Sequence, residues 1–110
     1  MLEIVLSDVT FAREEFRGRG VWAGKCIHCN GTLLLAVDGA PISRATIEHI
    51  IPKNAGGTDT LENLALACAR CNHQKGRRQD LVYPRDPRAR ELVERLLQKR
   101  QERWRGTDGE

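Results

Sequence analysis

The sequence predicts a small α+β domain, and three observations carry that reading. The chain has 110 residues and a mass of 12.4 kDa, which leaves room for one hydrophobic core. Its apolar residues form short β-branched runs in the middle and a helical period near the end. Four cysteines stand as two Cys-x2-Cys pairs, at Cys26 and Cys29 and at Cys68 and Cys71. Hydrophobic residues make up 40% of the chain but aromatic residues only 5%. A core so short of large rings needs a brace, and the cysteines are the candidates for it.

Leu2 to Leu6 is a short apolar run, and Ser7-Asp8 after it reads as the N-cap of a helix reaching about Phe16. Gly18, Gly20 and Gly24 then break up the chain as far as Cys26. Thr32 to Val37 reads as a strand, with a turn signal at Asp38-Gly39. Ala45 to Ile51 is a second, β-branched strand that Pro52 ends, and Pro52 to Asn63, with Gly56-Gly57, is a loop. Leu64 to Ala67 is a short strand, followed by a helix from Ala69 to about Asp80. The last helix, about 87–105, has the clearest signature. Asp86 caps it, and Pro87 suits a first position whose N–H has no helical partner. Ala89, Leu92, Val93, Leu96 and Leu97 follow its period, Trp104 lies two turns on, and Glu91 and Arg95 are four apart. Gly106 to Glu110 reads as a frayed tail.

No apolar run approaches the length of a membrane span. Met1 to Thr10 carries Glu3 and Asp8 and lacks the pattern of a signal peptide. The expected setting is cytoplasmic, where four cysteines read as metal ligands ahead of disulfides. The net charge of +3 is unevenly spread. Lys75 to Arg105 holds eleven basic and five acidic side chains, an excess of +6 on a near-neutral body. Such a segment fits a polyanionic partner or a solvated helix face.

Two residues between thiolates let both sulfurs of a pair reach one tetrahedral ion at about 2.3 Å. Cys26, Cys29, Cys68 and Cys71 therefore read as one closed, structural zinc site, with two disulfides or four free thiols as the alternatives. Asn30-Gly31 suits the tight turn after the first pair. The 38 residues between the pairs exceed the spacing of a zinc ribbon, so something is folded between them. His28, inside the first pair, is surplus to four thiolates and is expected at the surface without a role. Between the pairs, Glu48 and His49 place a carboxylate beside a histidine, and Asn63 and Asn72 add two carboxamides. Hard divalent cations take oxygen ligands, and a neutral histidine deprotonates water. A base, a metal and a basic surface are the parts that hydrolyse a phosphodiester.

The order of these fragments resembles the HNH endonucleases. From about Val21 to Arg78 the chain joins Cys-x2-Cys, Glu-His-Ile-Ile-Pro, Gly-Gly, Glu-Asn-Leu and Cys-x2-Cys-Asn-x2-Lys-Gly. The resemblance implies a zinc-braced ββα-metal domain, 1–110, whose hairpin and helix are pinned by the cysteines and flanked by core-forming helices. It implies hydrolysis of DNA, by nicking or by double-strand cleavage as a homodimer. His49 would be the general base, and Glu48 and Asn72 would hold one catalytic divalent ion, Mg²⁺ or another such as Mn²⁺. Asn63 would brace the loop from Pro52 to Glu62 and so orient His49. Many members carry Asp at the position of Glu48, and Asn72 in place of the last His is a recurrent variant. Lys75, Arg77 and Arg78 are the expected phosphate contacts; a membrane or a small-molecule substrate is not expected. A zinc-braced nucleic-acid-binding module without catalysis, or a zinc-stabilised protein-interaction domain, are the other readings.

The basic segment makes one measurable demand. DNA affinity should fall steeply as salt rises, and replacing Arg77 and Arg78 by Gln should flatten the logarithmic slope by about one unit for each phosphate no longer neutralised. A salt titration of binding checks this; salt-insensitive affinity would make the segment a solubilising surface only.

Overall fold

The computed structural model describes residues 1–106, without the side chains of Arg77 and Arg78; the tail expected beyond Gly106 lies outside the described residues. Leu2–Leu6 forms a short helix, α1, that buries Ile4 and Val5. The helix expected from Ser7 to Phe16 is instead a turn and a strand. Ser7 Oγ donates back to the Ile4 carbonyl at 2.9 Å and closes α1. Asp8 Oδ1 accepts from the Thr10 N–H and hydroxyl at 2.8 and 2.7 Å, so the side chain that resembles a cap makes a local turn.

Strand β1, Ala12–Phe16, is exposed along its whole length and so carries no alternation to read. It pairs with β2, Arg19–Lys25, across the two-residue turn Arg17-Gly18. Two glycines expected to interrupt the chain thus lie inside a strand. Gly24 is there because the Phe11 ring presses on it: a Cβ would come within 2.3 Å of that ring. Strand β3, Thr32–Ala36, completes an antiparallel sheet in the order β1-β2-β3.

A second, two-stranded sheet pairs β4, Ala45–His49, with β5, Leu64–Cys68, in a register running from Ala45 opposite Cys68 to His49 opposite Leu64. The strand stops two residues before the expected Ile51. The loop between the strands holds two short 3-10 turns, Lys53–Ala55 and Leu61–Asn63. Helix α2, Ala69–Arg78, leaves directly from β5. The fold is therefore α+β, with Ile4, Phe11, Leu35, Ile50, Leu66 and Val93 among its buried core.

Helix α3, Pro87–Glu102, begins as its sequence predicts, with Asp86 accepting from the Ala89 N–H at 2.9 Å. Ala89, Val93 and Leu96 are buried, and so is Arg100 on the same face. Arg100, 1% exposed, donates through Nε to the Leu64 carbonyl at 2.8 Å. Its Nη atoms reach the Ser7 carbonyl and hydroxyl at 3.1 and 2.6 Å and the Leu61 carbonyl at 3.2 Å. Arg103 donates to the Lys25 carbonyl at 3.1 Å and to Asn30 Oδ1 at 2.5 Å. Two cations of the basic segment thus turn inward and tie α3 to the N-terminus, the hairpin loop and the first cysteine turn.

Arg100→Ala should cost about 3 kcal/mol, since it strands buried carbonyls as well as removing bonds to a charged donor. Arg100→Lys should recover little, because an ammonium lacks the planar fork that reaches Ser7, Leu61 and Leu64 together. Urea denaturation of the metal-loaded chain reads both, and a change under about 0.5 kcal/mol for Arg100→Ala would contradict the assignment.

Candidate active site

Cys26 follows β2, Cys29 lies in the turn after it, Cys68 ends β5, and Cys71 sits in the first turn of α2. The register that makes Cys68 the last residue of a strand puts Cys71 one helical turn further on, at the same corner. The four sulfurs lie within 4.8 Å of one another, against about 3.8 Å between sulfurs on a tetrahedral zinc. All four are free thiols, which sets aside the disulfide reading. The N–H groups of His28 and Cys68 point at Cys26 Sγ at 3.4 and 3.3 Å, and that of Gly31 at Cys29 Sγ at 3.4 Å. Such donors stabilise thiolates on a metal. Burial, and then hydrogen bonding and charge from the neighbouring cysteines, push the Cys71 thiol far above its ordinary value. Four thiols so crowded ionise together only with a cation among them, and a closed four-sulfur donor set fits zinc.

Neighbouring residues of a strand point to opposite faces, so Glu48 and His49 diverge. Glu48 is 2% exposed and faces α2, with Oε1 2.5 Å from His28 Nε2. Its Oε2 lies 3.8 Å from Lys75 Nζ and is buried without a hydrogen-bond partner among the described residues. Asn72, in the first turns of α2, donates through Nδ2 to Thr46 Oγ1 at 3.0 Å and to the Ile47 carbonyl at 3.2 Å. Thr46 shares the face of Glu48, so Glu48 and Asn72 belong to one seam between hairpin and helix. His49 points the other way, with Nε2 2.7 Å from Asp59 Oδ1.

Asn63 is buried below the loop. Its Oδ1 accepts from the Ile51 N–H at 2.8 Å, and its Nδ2 donates to the carbonyls of Ile51 and Thr58 at 3.1 and 2.9 Å. The loop folds back so closely that a Cβ on Gly57 would stand 1.8 Å from the Ile51 carbonyl oxygen. His49, Asn72, Lys53, Asn54 and Asp80 line an open groove of about 320 Å³. Glu48 lies behind it, against α2.

Four placements depart from expectation. His28, expected at the surface, is largely buried and holds Glu48; no spacing rule marks a histidine inside a cysteine turn for that part. Lys75, expected on a phosphate, is 3% exposed, and its ammonium donates to Asp80 Oδ1 at 2.7 Å and to the His49 carbonyl at 3.2 Å. Its spacing of three from Asn72 is the available signal, since such residues share a helix face. Asp59 and Asp80, not singled out from the sequence, both enter the site. The side chains of Arg77 and Arg78, expected on phosphates, lie outside the described residues.

The HNH endonuclease family model matches residues 26–78, which span both cysteine pairs, β4, β5 and α2. The matched segment belongs to the HNH endonuclease family. No curated protein and no solved structure gives a significant match. In this HNH chain α1, β1, β2 and α3 lie outside the matched segment and pack around it. Among the described residues no helix is long and apolar enough to cross a membrane. The donors of the seam also fit a hard cation. Glu48 offers a buried carboxylate oxygen with no hydrogen-bond partner among the described residues. The Asn72 amide has its nitrogen engaged, which leaves its oxygen as a donor to metal.

Metal analysis of the purified HNH chain should find about one equivalent of zinc. Cys68→Ala should lose that zinc and unfold, because metal binding at such sites is coupled to folding. Unchanged melting together with retained zinc would contradict a four-thiolate site.

Proposed function

We propose that this HNH chain is a metal-dependent endonuclease that hydrolyses DNA phosphodiester bonds, nicking as a monomer or cutting both strands as a homodimer. The observation that carries the reading is the groove itself: His49 and Asn72, from hairpin and helix, line one open channel beside Lys53. Open at the surface, the channel suits a polymer backbone rather than an enclosed small molecule. The 110 residues act as one unit, with the site in the motif core of about 21–78 and the brace in the terminal helix. Free thiols at the metal corner suit a reducing, cytoplasmic setting.

His49 takes a proton from water, and the resulting hydroxide attacks phosphorus and displaces the 3′ oxygen. Asn63 keeps the loop below His49 in place through the Ile51 and Thr58 backbone. Lys53, with its side chain largely exposed at the groove, is placed to meet a phosphate oxygen. Glu48 and Asn72 would hold the divalent ion, Mg²⁺ or Mn²⁺, which when bound supplies Lewis-acid stabilisation of charge on the phosphate. Lys75 balances the charge of Glu48 and Asp80 from inside.

Supercoiled plasmid incubated with Mg²⁺ or Mn²⁺ should yield nicked or linear product. His49→Ala should lower the rate about 10² to 10⁴-fold, and raising the pH should restore part of it, since hydroxide needs no base. Asn72→Ala should instead demand more divalent ion and gain nothing from high pH. A His49→Ala variant as fast as the parent at matched pH and metal would refute this use of the site.

A further inference from the structure

His49 has a single side-chain partner among the described residues, Asp59, whose Oδ1 stands 2.7 Å from Nε2. The other Asp59 oxygen accepts from Lys53 Nζ at 3.3 Å. The hydrogen bond with His49, and after it Lys53, hold the Asp59 carboxyl below its ordinary range. Asp59 is thus an ionised acceptor at neutral pH, with no proton of its own to share. An ionised carboxylate at that distance requires the hydrogen to be on Nε2. A neutral imidazole carrying its hydrogen there leaves Nδ1 as the lone-pair nitrogen. Among the described residues, the other charged groups nearby do not compete for the ring. Lys75 meets only the backbone carbonyl of His49, and Asp80 is taken by Lys75.

The loop that presents Asp59 is fixed from below. Asn63 donates to the carbonyl of Thr58, the residue before it, and Gly57 donates to the Pro52 carbonyl at 2.9 Å. The Asp59 side chain itself is 69% exposed, so it packs against little, and its removal deletes the hydrogen bond with His49 without opening the core.

We propose that Asp59 is a positioning residue for the hydrolysis: it holds His49 in the Nε2–H tautomer, and Nδ1 is the atom that takes the proton from water. This rests on the nuclease reading above. In the step, Nδ1 gains the proton and the hydroxide oxygen bonds to phosphorus. The bond from phosphorus to the 3′ oxygen breaks, with its electron pair leaving on that oxygen. Asp59 stays a carboxylate throughout and faces the imidazolium that forms.

The test uses the full zinc-loaded chain. Nitrogen-15 spectra of its histidine rings, recorded without DNA at a pH where they are neutral and assigned with His49→Gln, should show His49 protonated at Nε2 and bare at Nδ1. Asp59→Ala should admit the Nδ1–H tautomer and lower kcat for plasmid nicking by about 10²-fold, the cost of a misplaced reacting group. Zinc content, melting temperature and KM for DNA should not change. A parent ring protonated at Nδ1, or an Asp59→Ala variant with the parent's tautomer and kcat, would overturn the inference. A parent that nicks no plasmid with either ion would overturn the nuclease reading instead, and the spectra alone would then decide the pairing of His49 with Asp59.

Discussion

Four thiols within 4.8 Å of one another fix the corner on which everything else in this chain is aligned. They join a turn after β2 to the junction of β5 and α2, two places 42 residues apart in sequence yet hydrogen-bonded through Cys68 N–H and Cys26 Sγ. Cys68 is opposite Ala45 in the hairpin, so the thiols pin one end of β4. The other end, where His49 is opposite Leu64, is held differently. Arg100 takes the Leu64 carbonyl, and Asn63 takes the backbone of Ile51 just beyond the strand. A five-residue strand tied at both ends has little freedom to turn its side chains. That rigidity is what a pair of divergent neighbours, Glu48 and His49, requires to serve a seam on one face and a groove on the other.

Charge in this HNH chain turns inward more than its composition indicates. Lys75, Arg100 and Arg103 are all buried, and each is matched to carbonyls or carboxylates on other elements. Glu48 would be costly to bury alone; His28 on one oxygen and Lys75 near the other compensate it. Other cations face solvent: among the described residues, Arg85, Arg88, Arg90 and Arg95 are exposed at and along α3. The same helix therefore grips the fold with one face and presents cations with the other.

The elements legible in the sequence are those where one physical signal dominates. Short apolar runs beside turn and loop signals mark β3 and β5, β-branched residues mark β4, and a capping aspartate, a first-position proline and the helical period mark α3. The hairpin of β1 and β2 is illegible because β1 is exposed on both faces and Gly24 reads as a breaker until Phe11 is known to lie on it. Ser7-Asp8 reads as a cap because the same side-chain oxygen serves a cap and an Asx turn. At the site, residue types and their order point to Glu48, His49, Asn63, Asn72 and the four cysteines, but not to their partners. Side-chain direction on β4 turns Glu48 toward His28, and a loop fold-back at Gly57 brings Asp59 to His49. Both pairings join residues that no local pattern links.

A metal ion at the thiol corner would hold the hairpin that carries His49, and the rest of the site would depend on it. Amide hydrogen exchange measured before and after a chelator strips the ion tests it most directly. Protection across β4 and β5 should be lost together with that of the cysteine turns, because Cys68 ends one of those strands. Full protection of both strands in protein shown to be free of metal would contradict it.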